Sequence, residues 1–319
     1  RMSPQGQSVL LLGATGTAGR GAARGLIEAG HKVQALVREG SDTSNLPAAL
    51  HLQVGAPLSM TPKDAKGFDA VVICLASRTG LPADAWAIDH DATVRAIDAA
   101  RTAGVRHVVL LSAICVQRPL LDFQHAKLAA EAHLVASGLT YSIVRPTAFF
   151  KSLSGQISRV RAGKPYLLFG DGRLTACTPI SDTDLGRFIA RCLIDPDKRD
   201  AILNIGGPGP ALTPLEMGEE LFRLTGRVPR YRKVPVGMMD AIIGGLSLAG
   251  HLSARARDKA AFARIGRYYA TESMLVLDET GTYSRDATPS FGTETLFEHY
   301  QRVIAGDTDV SLGDHAAFS

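Results

Sequence analysis

The sequence predicts a doubly wound, parallel α/β fold, and three observations carry that prediction. A short continuous apolar run, Val9-Leu10-Leu11-Leu12, stops at Gly13. Apolar residues at every position, instead of every second one, mark a parallel strand buried on both faces. A glycine-spaced turn follows at once, and strand and helix patterns then alternate as far as Pro146. Parallel neighbours need a crossover between them, usually a helix, so alternation of this kind is the signature of repeated βαβ units.

The elements follow in order. A helix is expected over Arg20 to Gly30, where Ala22, Ala23, Leu26, Ile27 and Ala29 recur near helical spacing and Gly30 supplies a stop. Lys32 to Val37, Leu52 to Val54, Ala70 to Ala76, Val105 to Ser112 and Tyr141 to Val144 read as strands, with helices over Trp86 to Ala103 and Phe123 to Ser137. Past Pro146 the rhythm loosens, punctuated by Gly163-Lys164-Pro165, Gly170-Asp171-Gly172 and Gly206-Gly207-Pro208-Gly209-Pro210. Ser181-Asp182-Thr183-Asp184 and Thr213-Pro214-Leu215-Glu216 have the composition of helix N-termini. Ile202 to Ile205 is expected to return to the sheet.

Composition narrows the function. The chain has 319 residues, 45% hydrophobic and 21% charged, which excludes disordered, collagen-like and disulfide-scaffold classes. A net charge of +4 without a long basic run argues against nucleic acid and suits an anionic small ligand. Cys74, Cys115, Cys177 and Cys192 form no C-x-x-C and have no His at ligand spacing, so no metal site is expected and the thiols read as reduced. No signal-peptide pattern precedes the first strand, and Met2 is the expected start. Val234 to Leu252 is weakly charged, but Asp240, His251 and several glycines break it too often for a bilayer span.

Gly13-Ala14-Thr15-Gly16-Thr17-Ala18-Gly19 spaces glycines as G-x-x-G-x-x-G between strand and helix. Backbone N–H groups and the helix dipole there can hold a pyrophosphate, and a side chain would block its approach. The expectation is a Rossmann-type, NADP-binding domain over residues 1–150, with a strand near 201–205 added to it. A smaller mixed α/β lobe over 151–319 is expected to bind substrate. Arg38 ends the second strand where an NAD site usually carries an acid, and its fork of donors, with Ser41 behind it, suits the 2′-phosphate of NADPH. Ala76, Ser77 and Arg78, Ser112 and Ala113, and Pro146, Thr147 and Phe149 stand at or beyond the carboxyl ends of later strands, where open parallel sheets bind ligands.

Ordinary short-chain dehydrogenases place a Tyr four residues before a Lys, on one helix face. Here the pair is Phe123 and Lys127, so the Lys is kept and the proton-donating phenol is absent. Lys127 is the candidate catalytic residue, able to bond the nicotinamide ribose or to stabilise a developing anion. His125, two residues away, faces elsewhere on a helix. Cys115 is a candidate proton donor or an inert buried thiol, Arg118 and Lys151 are candidate carboxylate partners, and Phe149, Phe150, Met238 and Met239 could wall a flat apolar ligand.

Longer segments carry a resemblance. Residues 110–127, 140–153, 163–172, 205–216 and 265–274 are similar to those of the NADPH-dependent divinyl chlorophyllide 8-vinyl reductases, over roughly residues 8 to 300. That family lies in the NmrA-like, atypical branch of the short-chain dehydrogenases and resembles the isoflavone reductases, which also keep a Lys without the usual Tyr. The resemblance implies NADPH-dependent reduction of an 8-vinyl group to ethyl on a chlorophyllide or related Mg-tetrapyrrole. It also implies a macrocycle cleft from residues 149–155 and 234–272, a bacterial cytoplasmic enzyme or a trimmed chloroplast form, and a possible peripheral contact with the photosynthetic membrane. A non-catalytic NADP-binding regulator and a reductase of another conjugated C=C bond are the alternatives; the extended motifs favour the vinyl reductase.

Overall fold

The structure is a computed structural model that describes residues 6–306; Met2 lies outside the described residues. Seven strands form one parallel sheet: β1 (Ser8–Leu12), β2 (Lys32–Val37), β3 (His51–Val54), β4 (Ala70–Ile73), β5 (His107–Leu111), β6 (Thr140–Pro146) and β7 (Ala201–Ile205), in the order β3-β2-β1-β4-β5-β6-β7. The apolar run of β1 sits centrally, Leu12 pairing with Leu36 of β2 on one side and Ile73 of β4 on the other. Val9 to Leu12, Val71 to Ile73 and Ile143 are fully buried, as strands covered on both faces require. From β1 the chain winds outward to β3 and then crosses back to β4. That reversal places a topological switch point at the carboxyl ends of β1 and β4.

Helix α1 (Thr17–Glu28) starts earlier than the apolar spacing implies, because its first turn is the glycine turn itself. It packs against α4 (Asp182–Ile194) through backbone contact. A Cβ on Gly21 would lie 2.2 Å from the Asp182 carbonyl oxygen, and one on Gly186 only 1.9 Å from that of Gly21. The Arg24–Asp182 and Arg187–Glu28 ion pairs, both 2.9 Å, frame this contact. Between β4 and β5 the helix expected over 86–103 is instead π-helical over Ala85–Ala92 and α-helical only from Thr93, as α2 (Thr93–Thr102). Helix α3 (Asp122–Ala136) follows β5 and is tied to the π segment by a bond from Trp86 Nε1 to Asp122 Oδ1 at 3.1 Å.

The chain divides into two compact units. The first runs to Ser77 and adds Ala83–Pro146 and Asp182–Ile205; the second comprises Arg78–Pro82, Thr147–Ser181 and the chain from Gly206. A single cut at residue 150 therefore gives way to several crossings. The physical reason is that α4 needs the glycines of α1, and β7 completes the sheet by pairing along β6, from Ser142↔Ala201 to Pro146↔Ile205.

The second unit contains a parallel strand pair, Tyr166–Phe169 and Tyr231–Val234, which the sequence pattern does not announce. The helix Pro214–Thr225 carries the expected N-terminal signal, a capping box between Thr213 and Glu216. Gly218 of that helix lets Tyr166 approach, since a Cβ there would meet the ring at 2.9 Å.

In the sheet, Ser142 Oγ donates to the Lys198 carbonyl (2.6 Å) and accepts from His107 Nε2 (2.9 Å). Burial pushes His107 down to about 4, so its imidazole folds neutral. Above pH 6.5 neither state is protonated and stability is unaffected. As pH falls from 6.5 towards 4, the unfolded chain takes up a proton that the folded chain refuses, removing about 3 kcal/mol of stability. Urea titrations at pH 7 and pH 5 should show about 2 kcal/mol of this loss in the wild type and a smaller one in His107→Gln; equal losses would refute it. Gly186→Ala should cost about 3 kcal/mol by forcing α1 and α4 apart, read as a lower urea midpoint at unchanged slope.

Candidate cofactor site

The three glycines of the turn have different reasons to be glycine. Gly13 has φ +81°, and a Cβ on it would lie 2.3 Å from the Cys74 carbonyl oxygen at the end of β4. A Cβ on Gly19 would lie 1.8 Å from the Gly13 carbonyl oxygen. Both are therefore required by the fold's own packing. Gly16 is not: its added Cβ would meet only the Gly13 oxygen, at an ordinary 3.6 Å. Gly16 is exposed, as is Thr15, and it forms the N-cap of α1 without any side-chain cap and with no acidic residue in the first turn. Its bare backbone and the uncapped dipole leave a cradle that a side chain would fill, which is what a dinucleotide pyrophosphate needs. Thr17 and Ala18 open the helix behind it, half-buried.

Arg38 directly follows β2 and is exposed; Gly40 (φ +75°) turns the chain there so that the Ser41 N–H bonds the Arg38 carbonyl at 3.2 Å. At the end of β5, Ser112 Oγ is buried without a hydrogen-bond partner, an orphaned polar atom of the kind a ligand hydroxyl or amide satisfies. Ala113 beside it is half-buried, and Pro146 ends β6 buried. The residues of the first unit thus fit a nicotinamide dinucleotide. Among the described residues no group of three or more His, Cys, Asp and Glu could hold a metal ion.

On α3, Phe123 is buried, His125 is exposed and Lys127 is partly covered, as their spacing predicts. The spacing does not reveal Lys127's partner. Lys127 Nζ bonds Asp89 Oδ1 at 3.0 Å, Asp89 itself being only 1% exposed in its side chain. Ser77 Oγ bonds the other carboxylate oxygen at 2.7 Å. The available signal is that Asp89 interrupts a buried small-residue stripe, Ala85, Ala92 and Ala96. Gln124 is a second unforeseen group. Its Oε1 accepts from the Leu120 and Leu121 N–H groups (2.7 and 3.0 Å), and its buried Nε2 has no partner.

Cys115 lies in a single 3-10 turn, Ile114–Gln117, at 2% exposure, with Arg118 half-buried after it. Cys74, Cys177 and Cys192 are buried, and burial pushes their thiols up to about 12.

Arg78, Thr147, Phe149, Phe150, Lys151, Met238 and Met239 belong to the second unit. Two of them are corrected there. Thr147 is buried with its hydroxyl committed to the Thr178 carbonyl at 2.6 Å, so that side chain has no donor to offer a cofactor. Phe150 is buried with its ring against His299, centroids 5.4 Å apart, so it packs within its own unit and does not wall an open cleft. Met238 is exposed and Met239 half-buried on Val236–Ala249, a helix that fully buries none of its residues.

A family profile described as NAD(P)H-binding matches residues 13–196. Among solved structures, the epimerase Mth375 of Methanothermobacter thermautotrophicus shares the fold at TM-score 0.69 and 16% identity, over 95% of this chain and 93% of that one. MoeE5, solved with UDP-glucuronic acid and NAD, aligns at TM-score 0.62 and 25% identity over 72% of this chain and 85% of that one. The chain is thus an NAD(P)H-binding protein of the Rossmann class.

Curated relatives narrow the class. The chloroplastic divinyl chlorophyllide a 8-vinyl-reductase of Cucumis sativus is 48% identical over 99% of this chain and 81% of its own length. That of Arabidopsis thaliana is 47% identical over 95% and 78%. The photosystem II assembly factor Ycf39 of Trieres chinensis reaches 24% over 96% and 97%. The chain belongs to the divinyl chlorophyllide a 8-vinyl-reductase family.

If Arg38 meets a 2′-phosphate, Arg38→Ala should weaken NADPH binding about tenfold, the worth of one charge-assisted hydrogen bond, and leave NADH binding within about twofold. Titrations following nicotinamide fluorescence read both; equal losses would remove Arg38 from that role.

Proposed function

We propose that the protein reduces the 8-vinyl group of divinyl chlorophyllide, or of a closely related Mg-tetrapyrrole, to ethyl, with NADPH as the reductant. The observation that carries this reading is the 48% identity, over nearly the whole chain, to proteins named for that reaction. The residues of the site agree with it chemically. When bound, NADPH supplies a hydride to the terminal vinyl carbon. The electron pair displaced from the C=C bond spreads into the conjugated macrocycle, and a proton from water or another side chain, taken up at the inner carbon, completes the ethyl group. No oxyanion forms, so no phenol is needed at Phe123 to protonate one.

The chain's own residues then bind and orient. The Gly16 backbone and the N-terminus of α1 hold the diphosphate, and Arg38 with Ser41 favours the 2′-phosphate. Ser112 and Lys127 meet the ribose and nicotinamide end. The macrocycle is flat and apolar with a carboxylate at one edge; Met238 and Met239 are candidate walls, and Arg118 or Lys151 the propionate's partner. Val236–Ala249 also exposes Ile242 and Leu248, a surface suited to peripheral contact with a photosynthetic membrane. No described helix is long and apolar enough to cross one. The proposed compartment is the bacterial cytoplasm, or the chloroplast for a plant form.

The test is anaerobic incubation of the purified protein with divinyl chlorophyllide a and NADPH, with NADH in parallel, following the Soret band and the product mass. A Soret shift with a two-hydrogen mass gain, with NADPH and little with NADH, is expected. Absence of conversion by protein that binds NADPH would overturn the substrate assignment.

A further inference from the structure

The π segment Ala85–Ala92 carries one buried carboxylate, Asp89, on a face otherwise lined by alanines. A carboxylate survives such burial only when it is paired and hydrogen-bonded. Asp89 is: Oδ1 takes Lys127 Nζ at 3.0 Å and the Ser77 N–H at 3.4 Å, and Oδ2 takes Ser77 Oγ at 2.7 Å. Three separate elements meet at this one group, the segment after β4, the π turn and α3. Single π turns inside helices recur at functional sites, where the wider turn re-aims a side chain.

We infer that Asp89 is a positioning residue: it locks Lys127 and Ser77 together, so that Lys127 serves as a preset clamp on the cofactor ribose and not as a free positive charge acting on the substrate. The inference rests on the reading of Lys127 as a cofactor-facing residue. The charge argument is direct. An ammonium with a carboxylate at 3.0 Å, both largely withdrawn from water, presents the field of a neutral pair, which falls off much faster than that of a lone cation. What remains is geometry. One of the three Nζ hydrogens is committed to Asp89, and the other two are aimed by that commitment. A lysine stem held before the ligand arrives has already lost the rotamer freedom that binding would otherwise have to remove.

The roles separate experimentally. NADPH is titrated by fluorescence into the full-length wild type, Asp89→Asn, Lys127→Met and the double variant, none of which needs a tetrapyrrole. Asp89→Asn and Lys127→Met should each weaken binding about tenfold, the scale of a charge-assisted hydrogen bond. The double variant should be no more than about twofold weaker than Lys127→Met, because Asp89 acts through that residue. Single-turnover reduction at saturating NADPH should fall less than about threefold in Asp89→Asn, putting the defect in KM for NADPH and not in kcat.

Unchanged NADPH affinity in Asp89→Asn would overturn the inference, and so would additive losses in the double variant, which would mark a merely structural role. A collapse of the hydride step with affinity retained would overturn it in favour of an electrostatic Lys127. Unchanged affinity in Lys127→Met would overturn it together with the cofactor reading of that residue. Failure of the vinyl-reductase reading alone would appear as normal titrations without conversion. If the buried amide of Asp89→Asn prevents folding, Asp89→Ser is measured in its place with the same expectations.

Discussion

The first unit depends on one contact that leaves no room for a methyl group, that of Gly19 in the first turn of α1 against the carbonyl of Gly13. Because the two backbones touch, the helix must leave β1 at a fixed angle and at once. That places an uncapped helix N-terminus directly over the carboxyl end of β1, an interior strand. Sheet order does the rest, since the same point is where the winding reverses and where β4 delivers its end against Gly13. A second contact of the same kind, α1 against α4, repeats the device on the helix layer.

The site reads as a division of labour between backbone and side chains. The turn offers peptide N–H groups and a dipole, which bind an anion without reorganising. The end of β5 offers an unsatisfied hydroxyl, and α3 offers an ammonium already engaged by a buried acid. Phe123 removes the usual proton donor without disturbing the helix, because a ring of nearly the same size fills the same buried place. What is lost is carbonyl chemistry through a phenol, and what is kept is the apparatus for holding a nicotinamide.

Much of this was legible in the sequence, for a reason that can be stated residue by residue. Strand burial imposes an unbroken apolar run, so Val9 to Leu12 and Val71 to Ile73 announce themselves locally. Turn geometry and close approach impose glycine, so Gly13 and Gly19 do too. Features that join distant stretches leave no local trace. Gly186 looks like an interruption of a helix until it is set against Gly21. Asp89 looks like one more helix acid until Lys127 arrives from another element. The π-helical stretch was invisible for the same reason, since its sequence fits an α-helix equally well. Thr147 and Phe150 mark the same limit, because position after a strand says nothing about where a side chain spends its hydroxyl or its ring.

The interrupted path of the first unit bears on how the chain matures. At Pro146 six strands are available but β6 still has an unpaired edge, and α1 still exposes its glycine face. Neither is covered until Asp182–Ile205 has been synthesised, after a stretch that belongs to the other unit. An emerging chain therefore carries an open, apolar parallel edge through the interval in which it is most vulnerable to pairing with a neighbour. Completion of the nucleotide-binding unit is thereby deferred to the return of a segment far along the chain, so a polypeptide released before that segment is made lacks the seventh strand and leaves the glycine face of α1 uncovered.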